Sequence, residues 1–365
     1  MAQQLPSQRN YGIDLLRIVS MFFVLVLHCL GHGGVLANAR VFSGQYNVAW
    51  LLETAGYCAV NCYALISGYV GLNSRSRLSN LIMLWLQVAF YNVGFAFVEM
   101  LWLDQGFVWE IFLEALHPVS SRAYWYFTAY TGMFFFIPIM NAAVQNLEKK
   151  QLSISLVGIL LLFSVYAAQQ KTDVFLLNHG YHVLWLMILY ILGAYLRKYN
   201  PFEQVKAGVW LLVYGAMVLL SWGVFLLNTH RSSLEPNGTY LNLVEFTSPT
   251  MVVAAAALLL VFSRIRIPDF AEKLIRFVSP LTFSVYLIHD NAVMRDEFMI
   301  DQFIDLAFYP IHRMLLKLGF VCVVLFTVCI TVDHIRSLLF KWLNLRKLAQ
   351  LPEKLLAGNK KGEQI

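Results

Sequence analysis

The first apolar segment of the chain holds an arginine and, after ten intervening residues, a histidine. The segment opens Tyr11-Gly-Ile-Asp14-Leu-Leu-Arg17 and runs through residues of which only Ser20 is polar before reaching His28. On a helix rising about 1.5 Å per residue, the two side chains stand roughly 16 Å apart along the axis. Across a hydrocarbon layer about 30 Å thick, Arg17 then lies near one face and His28 near mid-depth. An ionisable side chain at that depth is costly, so it ordinarily faces a cavity, a partner or a substrate path. An imidazole placed there can act as a general base of pKa near 7 or as a nucleophile. Arg17, at the other end, suits a phosphate or another anionic group. The plainer expectation for Asp14 and Arg17, three apart on one helical face, is an ion pair.

These residues need long apolar elements to position them, and the composition supplies those. Hydrophobic residues make up 59% of the chain and charged residues only 13%, with a mean hydropathy of +0.62. No polar stretch is long enough to form a separate soluble domain, so the chain reads as an all-α, polytopic membrane protein. About ten spans are expected, over 11–34, 46–71, 78–102, 122–145, 152–170, 181–199, 206–228, 243–263, 272–292 and 308–340. They form one integral-membrane domain over 1–346 with a polar tail over 347–365, and the connections at 103–121 and 293–307 suit short interfacial helices. Twenty of the 27 lysines and arginines fall on the side of the N-terminus or in the tail, a positive-inside bias that places both termini in the cytoplasm. The net charge of +6 is therefore a topology charge, consistent with anionic lipid near the tail and not with nucleic acid.

A secretory signal is the competing reading of the N-terminus, with an apolar run from Ile18 to Leu30 followed by Ala37-Asn-Ala39. Asp14 in its start region and His28 inside the run argue against cleavage. The five cysteines lie in apolar segments, with no disulfide framework and no metal signature. Glu53, early in the second span, and His32, beyond the first, both stand on the outer side, where either could contact His28 or a hydroxyl substrate. A solvated interfacial glutamate is the plainer reading of Glu53. Asn61 and Ser67 are expected to hydrogen-bond between helices. Glu99 and Glu245 belong to the outer side, Glu99 as a solvated residue. His289-Asp290 closes the ninth span there, with a structural role for His289 the plainer reading. Arg75 and Arg77 read as topology charges or as a phosphate-binding edge. Asn237-Gly-Thr239 matches a glycosylation sequon, a pattern common by chance.

The Asp14-x-x-Arg17 to His28 arrangement resembles the opening helix of the membrane-bound acyltransferase 3 family of bacterial integral-membrane O-acyltransferases. Further similarities follow in order: Ser67-Gly-Tyr69, then Tyr124-Trp125-Tyr126-Phe127 with Tyr130 and Pro138-Ile-Met-Asn141, then Leu189 to Arg197, and Tyr286-Leu-Ile-His289. The resemblance covers roughly residues 9 to 346. It implies a multi-pass protein of the bacterial plasma membrane, with no permanently bound cofactor, that takes an acyl group, usually acetyl, from cytoplasmic acyl-CoA. The acceptor it implies is a hydroxyl of an envelope polysaccharide, glycolipid or lipid-linked precursor. By the same resemblance His28 is the catalytic residue and Arg17 its partner on the donor side, where Arg75 and Arg77 would also bind donor. Trp125 and Tyr130 match aromatic positions loosely. The family often carries Arg-x-x-Arg at the start of the third helix. Here the stretch reads Arg75-Ser-Arg77, shorter and displaced. Without a fused extracytoplasmic hydrolase-like domain, such a chain finishes transfer alone or hands over to a separate extracytoplasmic partner.

The alternative function is a transporter or flippase of a glycan-linked or anionic lipid. Paired repeats with broken helices would mark one, and prolines 138, 249 and 310 do not fall in matching halves. Acceptor specificity is expected in the loops 31–45, 103–121, 229–242 and 290–310.

Overall fold

The computed structural model describes residues 9–74, 76–102, 108–170, 172–235 and 240–359; Arg75 and the sequon at 237–239 lie outside them. The described residues are all-helical, without strands. In chain order the helices are α1 (Tyr11–Leu30), α2 (Val35–Asn38), α3 (Gly44–Gly56), α4 (Ala59–Gly71), α5 (Leu78–Trp102) and α6 (Trp109–Leu116). Next come α7 (Trp125–Asn146), α8 (Lys149–Leu160), α9 (Val183–Tyr199), α10 (Ala207–Leu234) and α11 (Pro249–Phe262). The last are α12 (Asp269–Val278), α13 (Thr282–His289), α14 (Ala292–Phe298), α15 (Ile311–Trp342), α16 (Leu345–Ala349) and α17 (Leu351–Asn359).

Six helical runs are long and apolar enough to cross a membrane among the described residues: α1, α5, α7, α8 with its continuation to Gln169, α10 and α15. The other expected spans are helical but shorter or broken. The segment 46–71 divides at Tyr57-Cys58 into α3 and α4, α9 and α11 are single shorter helices, and 272–292 becomes α12 and α13 joined by a 3-10 turn at Ser279–Leu281. Apolar residues continue through the Tyr57-Cys58 break, whereas Pro280 marks the break at Ser279–Leu281 locally and was passed over. The large exposed side chains of α8, α10 and α15, among them Leu161, Leu212 and Phe320, are aliphatic or aromatic, as lipid contact requires. The short helices expected in the two long connections are present as α6 and α14.

Packing centres on α1 and on the α4–α9 pair. Gly68 lies against the backbone of Tyr190, and Gly193 lies against the backbone of Leu65. A Cβ at either glycine would stand 1.9 or 2.1 Å from the facing carbonyl oxygen, so the close approach depends on both. Asn61 ties α4 to its surroundings by donating to the Phe246 carbonyl at 2.8 Å and accepting the Trp185 indole N–H at 3.2 Å. Ser67 does not bridge helices as expected; it bonds the Tyr63 carbonyl of its own helix at 2.9 Å, the usual alternative for a helical serine.

Two other features depart from the sequence reading. Arg336, counted as a tail cation, is buried within α15 and donates to Asp333 at 2.6 and 3.0 Å, while Gln87 and Tyr91 of α5 donate to the same carboxylate at 3.1 and 2.7 Å. The described part of the tail, to Asn359, carries α16 and α17, and Glu353 of α17 accepts the Ser79 N–H at 2.8 Å, capping the start of α5.

Candidate active site

The first turn of α1 is a charge cluster. Asp14, buried, accepts from Arg9 Nε at 2.5 Å, from Arg17 at 2.7 Å and from Ser279 Oγ at 3.2 Å. The expected Asp14–Arg17 ion pair is therefore present, and Ser279 links it to the turn before α13. Arg17 keeps 30% of its side chain exposed and lines a cavity of about 260 Å³ with Arg9, Tyr69, Asn73 and Arg197. Arg197 lies over the Tyr69 ring at 5.1 Å and also borders an adjoining, wider cleft of about 870 Å³ that includes Ser76 and Lys198. Arg197 is a site residue that the sequence reading passed over; its position at the end of a landmark motif was the only signal. Arg77 is exposed at the start of α5 and is not among the side chains lining the Arg17 cavity.

A second cavity, of about 70 Å³, lies further along the same helix and is bordered by Met21, Val24, Leu27 and His28. Its other walls are Val60, Tyr63, Trp125, Tyr126, Tyr181, Phe246, Phe283 and Tyr286. Tyr63 stands between the two spaces: it lines the inner cavity while its hydroxyl donates to the Arg17 carbonyl at 2.9 Å and to Thr282 at 3.3 Å. Trp125 reaches the inner cavity from the start of α7, stacked against Phe246 with ring centroids 6.0 Å apart. Tyr130 sits further along α7, packed on the apolar core and away from the cavity lining. Glu53, expected to be solvated, is buried on α3; its Oε2 meets no hydrogen-bond partner, and it forms no hydrogen bond or ion pair with His28 among the described residues. Glu245, unranked by sequence, pairs with His179 at 3.1 Å.

His28 is met by the end of α13. Its Nδ1 lies 2.8 Å from Nε2 of His289, and Nδ1 of His289 bonds the Val285 carbonyl of its own helix. A carbonyl only accepts, so the His289 proton sits on Nδ1 and its Nε2 is the acceptor. His28 then donates from Nδ1, and its Nε2 keeps a lone pair for the cavity; the tautomers follow from this network. His32 and Asp290 close the outer side, with His32 stacked edge-on to His28 at 4.8 Å and Asp290 Oδ1 3.5 Å from His28 Nδ1. The expected contact from His32 is thus present, and that from Glu53 is not. Tyr286, one helical turn before His289, lines the same cavity. Its buried hydroxyl lies near the backbone of Tyr126 without a hydrogen bond of good geometry, and among the described residues it has no partner.

Chemically, the arrangement offers one neutral base, one free hydroxyl donor and, beyond Tyr63, a basic opening. A model of the acyltransferase 3 family, described as an acyltransferase domain, matches residues 10–334. No match is found among curated proteins or among solved structures. The chain belongs to this acyltransferase family.

Proposed function

For this multi-pass membrane member of an acyltransferase family, we propose that the reaction is acyl-CoA-dependent O-acylation. The donor is acyl-CoA, with acetyl the group transferred. The acceptor is a hydroxyl of an envelope polysaccharide, glycolipid or lipid-linked precursor in a bacterial plasma membrane. In this reading the N-terminal end of α1 faces the cytoplasm, in line with the lysine and arginine bias. The units α3–α4, α9, α11 and α12–α13 complete a ten-pass arrangement with the six long helices.

The observation that carries the proposal is the serial order of the two cavities along α1, basic at Arg17 and aromatic at His28, with Tyr63 between them. Donor phosphates are held at Arg17 and Arg197, and Arg75 and Arg77 are assigned to the same donor side from the sequence alone. The pantetheine arm enters past Tyr63 and brings the thioester to His28. The inner space suits a short acyl group. His28 Nε2 takes the proton of the acceptor hydroxyl as the oxygen bonds to the thioester carbonyl carbon. The oxyanion so formed accepts from the Tyr286 hydroxyl. Collapse breaks the carbon–sulfur bond, and the leaving thiolate takes the proton back from His28, so no net proton is gained or lost. His289 fixes the His28 ring and its tautomer, as an acceptor on the far nitrogen does in other general-base sites. Asp14 holds Arg17, and Trp125 walls the acyl pocket.

Mass spectrometry of envelope glycans from cells with the wild-type chain, without it, and with His28→Ala tests this reading. The expected result is a mass shift of one acyl group that needs the wild-type protein. Identical glycans in all three would overturn it.

A further inference from the structure

We propose that His28, His32 and Asp290 form a zinc site at the end of α1 opposite Arg17, and that zinc bound there stops His28 from acting as a base. The binding half stands on coordinates alone, while the inhibitory half rests on the role of His28 proposed above.

The ligands come from two elements. His28 and His32 are four residues apart, the spacing that brings two imidazoles to one side of a helix. Helix α1 ends at Leu30 and the chain turns, yet the two rings still lie 4.8 Å apart. Asp290 arrives from the end of α13, with Oδ1 3.5 Å from His28 Nδ1 and 3.8 Å from His32 Nε2. One ligand atom from each residue lies within 4.8 Å of the other two, the single such group of histidine, cysteine and carboxylate side chains among the described residues. Zinc bonds of about 2.0–2.2 Å in a tetrahedron place ligand atoms roughly 3.3–3.6 Å apart, so small side-chain rotations complete the site. His32, 40% exposed, has the freedom to make them.

The donor set fits zinc in kind as well as in spacing. Two imidazoles four apart and one carboxylate make up an open site whose fourth position is left to water. Arg295, whose charge reaches these residues, is paired with Asp296 at 2.8 and 3.4 Å, which offsets part of that charge. Access is from the same end, since His28 and Asp290 keep 22% and 14% of their side chains exposed beside His32.

The consequence for His28 follows from which nitrogen faces Asp290. That nitrogen is Nδ1, which also bonds His289. Zinc on Nδ1 displaces the hydrogen bond to His289 and leaves the imidazole proton on Nε2, the atom that otherwise holds the lone pair toward the cavity. The ring is then neutral, fixed and without a free base.

The test uses full-length protein in nanodiscs, freed of metal with a chelator and titrated with zinc chloride against a chromophoric zinc indicator. One zinc per chain is expected. His32→Ala should weaken binding about 100-fold, at the upper end of losses seen when a metal site is stripped of one supporting group. His32→Cys, which restores a ligand, should bind again and so separates loss of the site from loss of the fold. Cobalt should give the visible bands of a tetrahedral site in wild type and in His32→Cys only. Absence of stoichiometric zinc, or equal affinity in wild type and His32→Ala, overturns the site. Acyl transfer that stops at saturating zinc and returns with chelator supports the inhibitory half; full activity with zinc bound overturns it. A protein that binds zinc as expected yet never transfers acyl groups, even metal-free, contradicts the proposed function and leaves the site standing.

Discussion

The two ends of α1 solve the problem of a polar group in an apolar protein in opposite ways. At Arg17 the carboxylate is fully answered: Asp14 takes three donors, two of them cationic, and Ser279 anchors the group to the turn before α13. At His28 the ring is held through one nitrogen by His289, and the facing Tyr286 hydroxyl is left without a partner. The satisfied end has the features of a fixed electrostatic mouth. The unsatisfied end has those of a place where substrate completes the hydrogen bonding, because a buried polar group left alone costs about 1–3 kcal/mol. Asp333 shows what a fully partnered buried carboxylate looks like in the same protein, with Arg336, Gln87 and Tyr91 filling both oxygens.

If that contrast is right, substitutions at the two ends should separate in kinetics. The largest effect is expected at His28→Ala, which removes the base and should lower kcat by about 10³–10⁴-fold with the protein still inserted in the membrane. Tyr286→Phe deletes only the unpartnered hydroxyl and should cost about 10²-fold in kcat, with little change in thermal stability because no hydrogen bond of the free protein is lost. A marked fall in stability in that variant would make the hydroxyl structural. His289→Ala frees the His28 ring and should lower kcat roughly 10-fold to 100-fold, the scale of a misplaced catalytic group. Arg17→Gln belongs to the other end, and should raise KM for acyl-CoA about 10-fold while kcat changes less, as expected for binding shared by ground and transition states. Equal losses of kcat at both ends would erase the distinction.

How much of this was legible beforehand depends on the kind of signal. The long apolar helices and the Asp14–Arg17 pair follow from local spacing, since a helix places neighbours by rule. The helix break at Tyr57-Cys58 was not legible, because it lies within an apolar run where tertiary packing decides; the break at Ser279–Leu281 was, since Pro280 cannot continue a helix. Pairing between distant segments was also hidden: nothing local says that His289, 261 positions away, meets His28, or that Asp333 draws Arg336 inward with help from α5. Glu53, read most plainly as a solvated interfacial residue, is buried instead, because sequence gives depth in the membrane but not the direction a helix faces. Tyr286 and Arg197 were visible only as members of motifs, and their roles emerge from the cavities they border.

The most direct measurement of the central claim is label transfer in membranes. Vesicles carrying wild-type or His28→Ala protein, with equal insertion verified, are supplied with acetyl-CoA labelled in the acetyl group, and label in the glycan and glycolipid fraction is counted. Wild type should label that fraction and His28→Ala should fall to the level of vesicles without the protein. Undiminished labelling by His28→Ala would contradict the account.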